Sequence, residues 1–107
     1  MTVTFINALN VPPSREAEFI EKWDRGAEYM RGRDGFVSTS LHRSLPVRRG
    51  GSPSYRYQFF TVAVWESAGH LLRATATDWW RAFVADFGFG SSVEDFSASQ
   101  HICEQLR

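Results

Sequence analysis

Three residues of this 107-residue chain have types and positions suited to chemistry: Asn7, Trp65 and His42. Asn7 stands inside "VTFINALNV". In a strand, Val3, Phe5, Asn7, Leu9 and Val11 share one side, and all but the asparagine are apolar. A buried amide without partners costs about 1–3 kcal/mol, so backbone, water or a ligand must hydrogen-bond Asn7. Trp65 closes "YRYQFFTVAVW", where the same alternation puts Tyr57, Phe59, Thr61, Ala63 and Trp65 on one face and Phe60, Val62, Val64 and Glu66 on the other. Trp65 reads either as a core aromatic or as a pocket wall whose indole N–H donates to a ligand oxygen. His42 ends "STSLHR" and is a candidate general base near neutral pH, against the plainer reading of a solvated strand end.

Other residues carry weaker signals. Tyr29, Tyr55 and Tyr57 have hydroxyls that suit a ligand oxygen. Trp79 and Trp80 are adjacent on a helix, point about 100° apart, and cannot both enter one pocket. Arg48 and Arg49 read as a solvated turn. His101 and Cys103 share a strand face, but two ligands without a third at sensible spacing do not make a metal site. "GFGSS" lacks the glycine pattern and helix start of a phosphate cradle. His70 falls at the start of a helix, where it reads as capping or solvent-facing.

The elements that position these residues follow from periodicity. "MTVTFINALNV" alternates as a strand. "VPPSREAEFIEKWDRGAEYMRGRDG" reads as a helix with Ser14 as N-cap, Glu16 and Glu18 in the first turn, and Gly35 past its end. Phe19, Ile20, Trp23, Ala27 and Met30 form its core face. "GFVSTSLHRSL" is a second strand, "PVRRGGSPS" a loop, and "YRYQFFTVAVWES" a long third strand. Ser67 caps a second helix through Leu71, Leu72 and Ala74. After "TAT", Asp78 caps a further helical piece, "WWRAFVADF". "GFGSSVED" is a loop and "FSASQHICEQL" a last strand. The order βαββαβ predicts an α+β fold of the ferredoxin-like kind, a four-stranded antiparallel sheet with strands one and three at its centre. Helices then cover one face only. The other face needs a cover, and in so small a protein a second subunit is the economical one.

Composition bounds the possibilities. The chain is long enough for one domain, residues 1–107, and not for two. Apolar residues make up 43% and aromatics 15%, with nine Phe and four Trp, an excess that favours an apolar pocket or an extensive interface. Twelve basic and twelve acidic residues cancel, which argues against nucleic acid and other polyanions. No basic segment with an apolar stretch, and no long apolar run, signals a leader or a membrane span. A lone cysteine cannot form an internal disulfide, which suits the cytoplasm.

"FINALNVPP", then "DGFVSTSLHRSL", then "VAVWES" at the end of the third strand resemble the antibiotic biosynthesis monooxygenase family over roughly residues 2–85. The resemblance implies a homodimer in which two ferredoxin-like units pair into a dimeric α/β barrel. It also implies that Asn7 and Trp65 line a substrate pocket. Thr61 stands where cofactor-free members often carry an asparagine. Heme-degrading members carry an iron-ligating histidine on the second helix, where this chain has Ala74 and Thr75, so heme degradation loses support. The expected activity is a cofactor-independent monooxygenase acting on a phenolic or aromatic polyketide-type molecule, with molecular oxygen as co-substrate and no metal. Asn7, Trp65 and His42 are the expected catalytic residues; Thr61, Phe59, Trp23, Leu72 and Trp79 are the expected substrate contacts. A cyclase or isomerase on the same fold and a non-catalytic ligand-binding dimer are the rivals, because fold does not determine reaction.

Overall fold

The computed structural model describes residues 2–45, 58–87 and 98–107. Chain order is β1 (Val3–Leu9), a 3₁₀ turn (Pro13–Arg15), α1 (Glu16–Arg31), β2 (Phe36–Arg43), β3 (Phe59–Trp65), α2 (Ala68–Thr75), α3 (Asp78–Phe87) and β4 (Ala98–Glu104). The strands form one sheet in the order β2-β3-β1-β4, every neighbouring pair antiparallel. This is the ferredoxin-like arrangement, with β1 and β3 central as the element order predicts. Tyr55, Tyr57, Arg48, Arg49 and the loops "PVRRGGSPS" and "GFGSSVED" lie outside the described residues.

Register decides which residues share a face. Val3, Phe5, Asn7 and Leu9 pair with Trp65, Ala63, Thr61 and Phe59. These odd-numbered residues meet the helices. Leu9, Val11 and Phe59 pack with Phe19 of α1, and Val3 and Trp65 pack with Met30 of α1 and with Leu71 and Ala74 of α2. The even-numbered Ile6, Phe60, Val62 and Val64 point to the reverse face, which no helix among the described residues covers. Phe19 and Phe59 are each 1% exposed and Trp65 is 0%, so the core is strongest where α1 and α2 press on β1 and β3.

Local chemistry moved some boundaries. Ser14 does not cap α1. The two prolines, with φ preset near the helical range, instead make a 3₁₀ turn closed by the Arg15 N–H on the Pro12 carbonyl at 2.8 Å, and α1 starts without a side-chain cap. Ser67 does cap α2, accepting from the His70 N–H at 3.2 Å. For α3 the cap is Thr77 rather than Asp78: its Oγ1 accepts from the Trp80 N–H at 3.2 Å, and Asp78 opens the helix proper. Gly35 lies three residues beyond Gly32, which ends α1, and enters β2 with φ +82°. A Cβ there would fall 2.2 Å from His70 Cγ, so both the backbone angle and the close approach require glycine. Among the described residues no helix is long and apolar enough to cross a membrane.

Candidate active site

The helix-side face of the sheet and the three helices line a partly open cavity of about 110 Å³. Apolar side chains from β1, β3, α1, α2 and α3 make most of its wall. Asn7, Thr39, Thr61 and Thr75 interrupt them with polar side chains, and Trp23, Trp65 and Trp80 with indole N–H groups.

Their hydrogen bonds sort them into two kinds. Thr39 Oγ1 donates to the Val62 carbonyl at 3.0 Å, and Thr75 Oγ1 to the Leu71 and Leu72 carbonyls at 3.0 and 3.2 Å, so these hydroxyls serve the backbone. Asn7 Nδ2 donates to Thr61 Oγ1 at 3.1 Å, as their pairing across β1 and β3 allows. That bond answers only half of what the amide needs. Asn7 Oδ1 is buried without a partner, and so is Trp65 Nε1. Buried polar atoms nearly always find partners. Here an acceptor and a donor are left over on two residues that line a single apolar cavity.

The structure brings Asn7, Thr61, Trp65 and Trp23 together on this wall. It places the other expected site residues elsewhere. His42 pairs with Phe60 in the β2–β3 register and therefore points to the helix-free face, where its Nε2 lies 2.8 Å from Ser40 Oγ. A base on the wrong side of the sheet cannot reach a ligand in the cavity of its own chain. Phe59 is sealed in the core, 5.0 Å from the Phe19 ring centroid, beneath the wall rather than on it. Leu72 is 58% exposed, because one residue along α2 turns it about 100° from the inward Leu71. Trp79 is 46% exposed and stacks on Tyr29 at 4.1 Å, outside the cavity. Its neighbour Trp80 takes the inward place.

Trp80 and Phe83 of α3 and Gly26 of α1 also line the cavity, and none was singled out from sequence as a site residue. A signal for Gly26 existed: it lies three residues after Trp23 and four before Met30, on the core face of α1. Trp80 and Phe83, three apart, share one face of α3 by the same rule.

An iron porphyrin held as in the heme-degrading members needs an imidazole near Ala74 or Thr75. Thr75 reaches the cavity, but its hydroxyl is spent on its own helix. The His70 ring is turned away, with Nδ1 2.7 Å from Ser67 Oγ and Nε2 3.8 Å from Asp34 Oδ2. The described residues do not fit a histidine-ligated heme. Among them no group of three or more His, Cys, Asp or Glu side chains is placed to hold a metal ion, and the pair His101 and Cys103 gains no third member.

The sequence pattern of the antibiotic biosynthesis monooxygenase family matches residues 2–86. The chain belongs to that family. Among solved structures, a mutant of SnoaB from Streptomyces nogalater, described as a cofactor-independent oxygenase, superposes with a TM-score of 0.77 at 20% identity, covering 99% of this chain and 94% of that one. Rv0793 from Mycobacterium tuberculosis gives 0.74 at 15% identity, covering 100% and 97%. A candidate monooxygenase from Shewanella loihica PV-4 gives 0.66 at 25% identity, covering 99% and 95%. These likenesses establish the shared fold of this member of the antibiotic biosynthesis monooxygenase family. A comparison with curated proteins finds no match.

Proposed function

We propose that the protein is a homodimeric, cofactor-independent monooxygenase that oxidises a phenolic, fused-ring molecule of the aromatic polyketide type. The observation that carries this reading is the pair of unpartnered buried atoms, Asn7 Oδ1 and Trp65 Nε1, on an apolar wall. A phenol O–H donates to the first, and a ligand carbonyl accepts from the second. Thr61, opposite Asn7, and Trp65 are four strand residues apart, about 13 Å along β3. Contact near both favours a fused polycycle over a single ring.

In this reading the protein binds, desolvates and orients the substrate, and the substrate supplies the electrons. A ring methylene between two aryl rings, conjugated through them to a carbonyl and a phenol, is activated for reaction with dioxygen. Its two C–H bonds break, one oxygen atom becomes a new carbonyl, and the other leaves as water, so atoms and electrons balance without a second reductant. Asn7 and Trp65 hold the two oxygen functions while charge spreads between them. With His42 on the far face, ionisation rests on the substrate's own acidity and on water at the mouth. SnoaB's description as cofactor-independent supports the same chemistry. The second subunit is expected on the helix-free face carrying Ile6, Phe60, Val62 and Val64, in the cytoplasm.

The purified protein is expected to consume one dioxygen per hydroxylated anthrone and to form the quinone, without added flavin, nicotinamide or metal and in the presence of a chelator. Rearrangement of the substrate under anaerobic conditions with no oxygen uptake would instead assign a cyclase or isomerase.

A further inference from the structure

We infer that Gly26 sets how broad a ligand the cavity admits, an inference that rests on the reading of this site as a small-molecule pocket. Gly26 is buried in the middle of α1 and lines the cavity. A Cβ at this position would lie 2.9 Å from Phe83 Cζ and 3.0 Å from Phe83 Cε1, with Trp80 Cζ3 at 3.7 Å. Non-bonded carbons settle at about 3.5–4.0 Å. The tip of the Phe83 ring therefore occupies the space that any other residue at 26 would claim.

Helix α3 is held against a step back from such a contact, because it is tied to α1 near both ends. At its start, the Tyr29 hydroxyl lies 2.5 Å from Oγ1 of the capping Thr77 and donates to the Ala74 carbonyl at 3.1 Å. At its end, Lys22 Nζ donates to the Asp86 carbonyl at 3.0 Å and lies 3.4 Å from Asp86 Oδ2. The ring, rather than the helix, has to move. Trp79 stacks against Phe83 at 5.1 Å and 13°, and Trp80 flanks it at 5.2 Å and 36°. The side left to the ring is the cavity. By withholding a side chain, Gly26 keeps Phe83 drawn back against α1 and the pocket broad enough for fused rings.

The test compares two phenols of different breadth, 1,8-dihydroxyanthrone with three fused rings and 1-naphthol with two, by anaerobic quenching of tryptophan fluorescence. In Gly26→Ala the ratio of the anthrone Kd to the naphthol Kd should rise about ten-fold over the wild type, the scale of discrimination that a small change in an apolar pocket produces. Alanine's better helix propensity favours folding of this variant. The double variant Gly26→Ala/Phe83→Leu removes the ring tip and should return the ratio toward the wild-type value, including where the single variant does not fold. If the wild type binds both phenols and Gly26→Ala leaves their ratio as it was, Gly26 has no such role and the pocket reading stands. A double variant that still disfavours the anthrone overturns the role of Phe83 and the inference with it. A wild type that binds neither phenol overturns the pocket reading and this inference together.

Discussion

On the helix-side face of β3, Phe59 and Trp65 are 1% and 0% exposed, and Thr61 and Ala63 between them open onto the cavity. On the reverse face, Phe60, Val62 and Val64 are only half-buried within a single chain. The same seven residues thus serve two surfaces, because successive side chains in a strand point opposite ways. One surface is finished by α1, α2 and α3, except for two polar atoms. The other is apolar, with Ser38, Ser40 and His42 from β2 and His101 and Cys103 from β4 toward its edges. The difference is informative. A buried polar atom without a partner beside a cavity suits a small ligand, whereas a broad apolar face that no described helix covers suits another protein surface.

The largest effect expected from breaking this division is at Val62. If a second copy covers the helix-free face, Val62→Asp buries a charge that no partner neutralises, at a cost of several kcal/mol. Sedimentation should then show 12.2 kDa monomers where the wild type sediments as a dimer. A wild type that is already monomeric at micromolar concentration would leave that face without its proposed cover.

Substitutions on the cavity side should act on rate and not on assembly. Asn7→Ala and Trp65→Phe each remove one hydrogen-bonding group, and a transition-state bond of about 1.4–3 kcal/mol corresponds to roughly a ten- to hundred-fold fall in turnover. Circular dichroism and sedimentation should match the wild type. Equal rates in both variants would return these residues to the core. His42→Ala sharpens the contrast with the smallest effect, since a side chain on the far face should change kcat by no more than about two-fold, the range of most surface substitutions. A large fall in kcat in this variant would mean that the partner subunit carries His42 into the site.

How far the residue order reached depended on the range of the forces involved. Alternation in "FFTVAVW" was enough to put Thr61 and Trp65 on one face of β3, and in "VTFINAL" to put Asn7 among apolar neighbours, because strand periodicity is a property of the backbone; the pairing of Asn7 with Thr61 is what puts all three on one side of the sheet. Helical spacing likewise identified the inward face of α1, with Phe19, Ala27 and Met30 buried as expected. Caps were less certain. Thr77 and Asp78 are both good capping types, and one turn of helix geometry chose between them.

Adjacent residues of similar type were the hardest. Leu71 and Leu72, or Trp79 and Trp80, carry equal apolar weight in a sequence, yet a 100° turn buries one and exposes the other. The rotation of each helix about its axis is set by what it packs against, so only the assembled fold could choose. His42 is a related case: its face follows from β2 pairing with β3 in a register that passes through a bulge at Phe36 and Ser38.

The sequence by itself determined the element order, the antiparallel sheet with β1 and β3 at its centre, and the polar interruption of an apolar face by Asn7. All of these follow from local dihedral preference and from hydrophobic period. Tertiary structure alone decided that Asn7 spends one donor on Thr61, that its carbonyl and the Trp65 N–H lack partners, and that Phe83 fills the place of a side chain at Gly26. Hydrogen-bond satisfaction and steric fit depend on distances of a few tenths of an ångström between residues far apart in the chain, and periodicity carries no such distances.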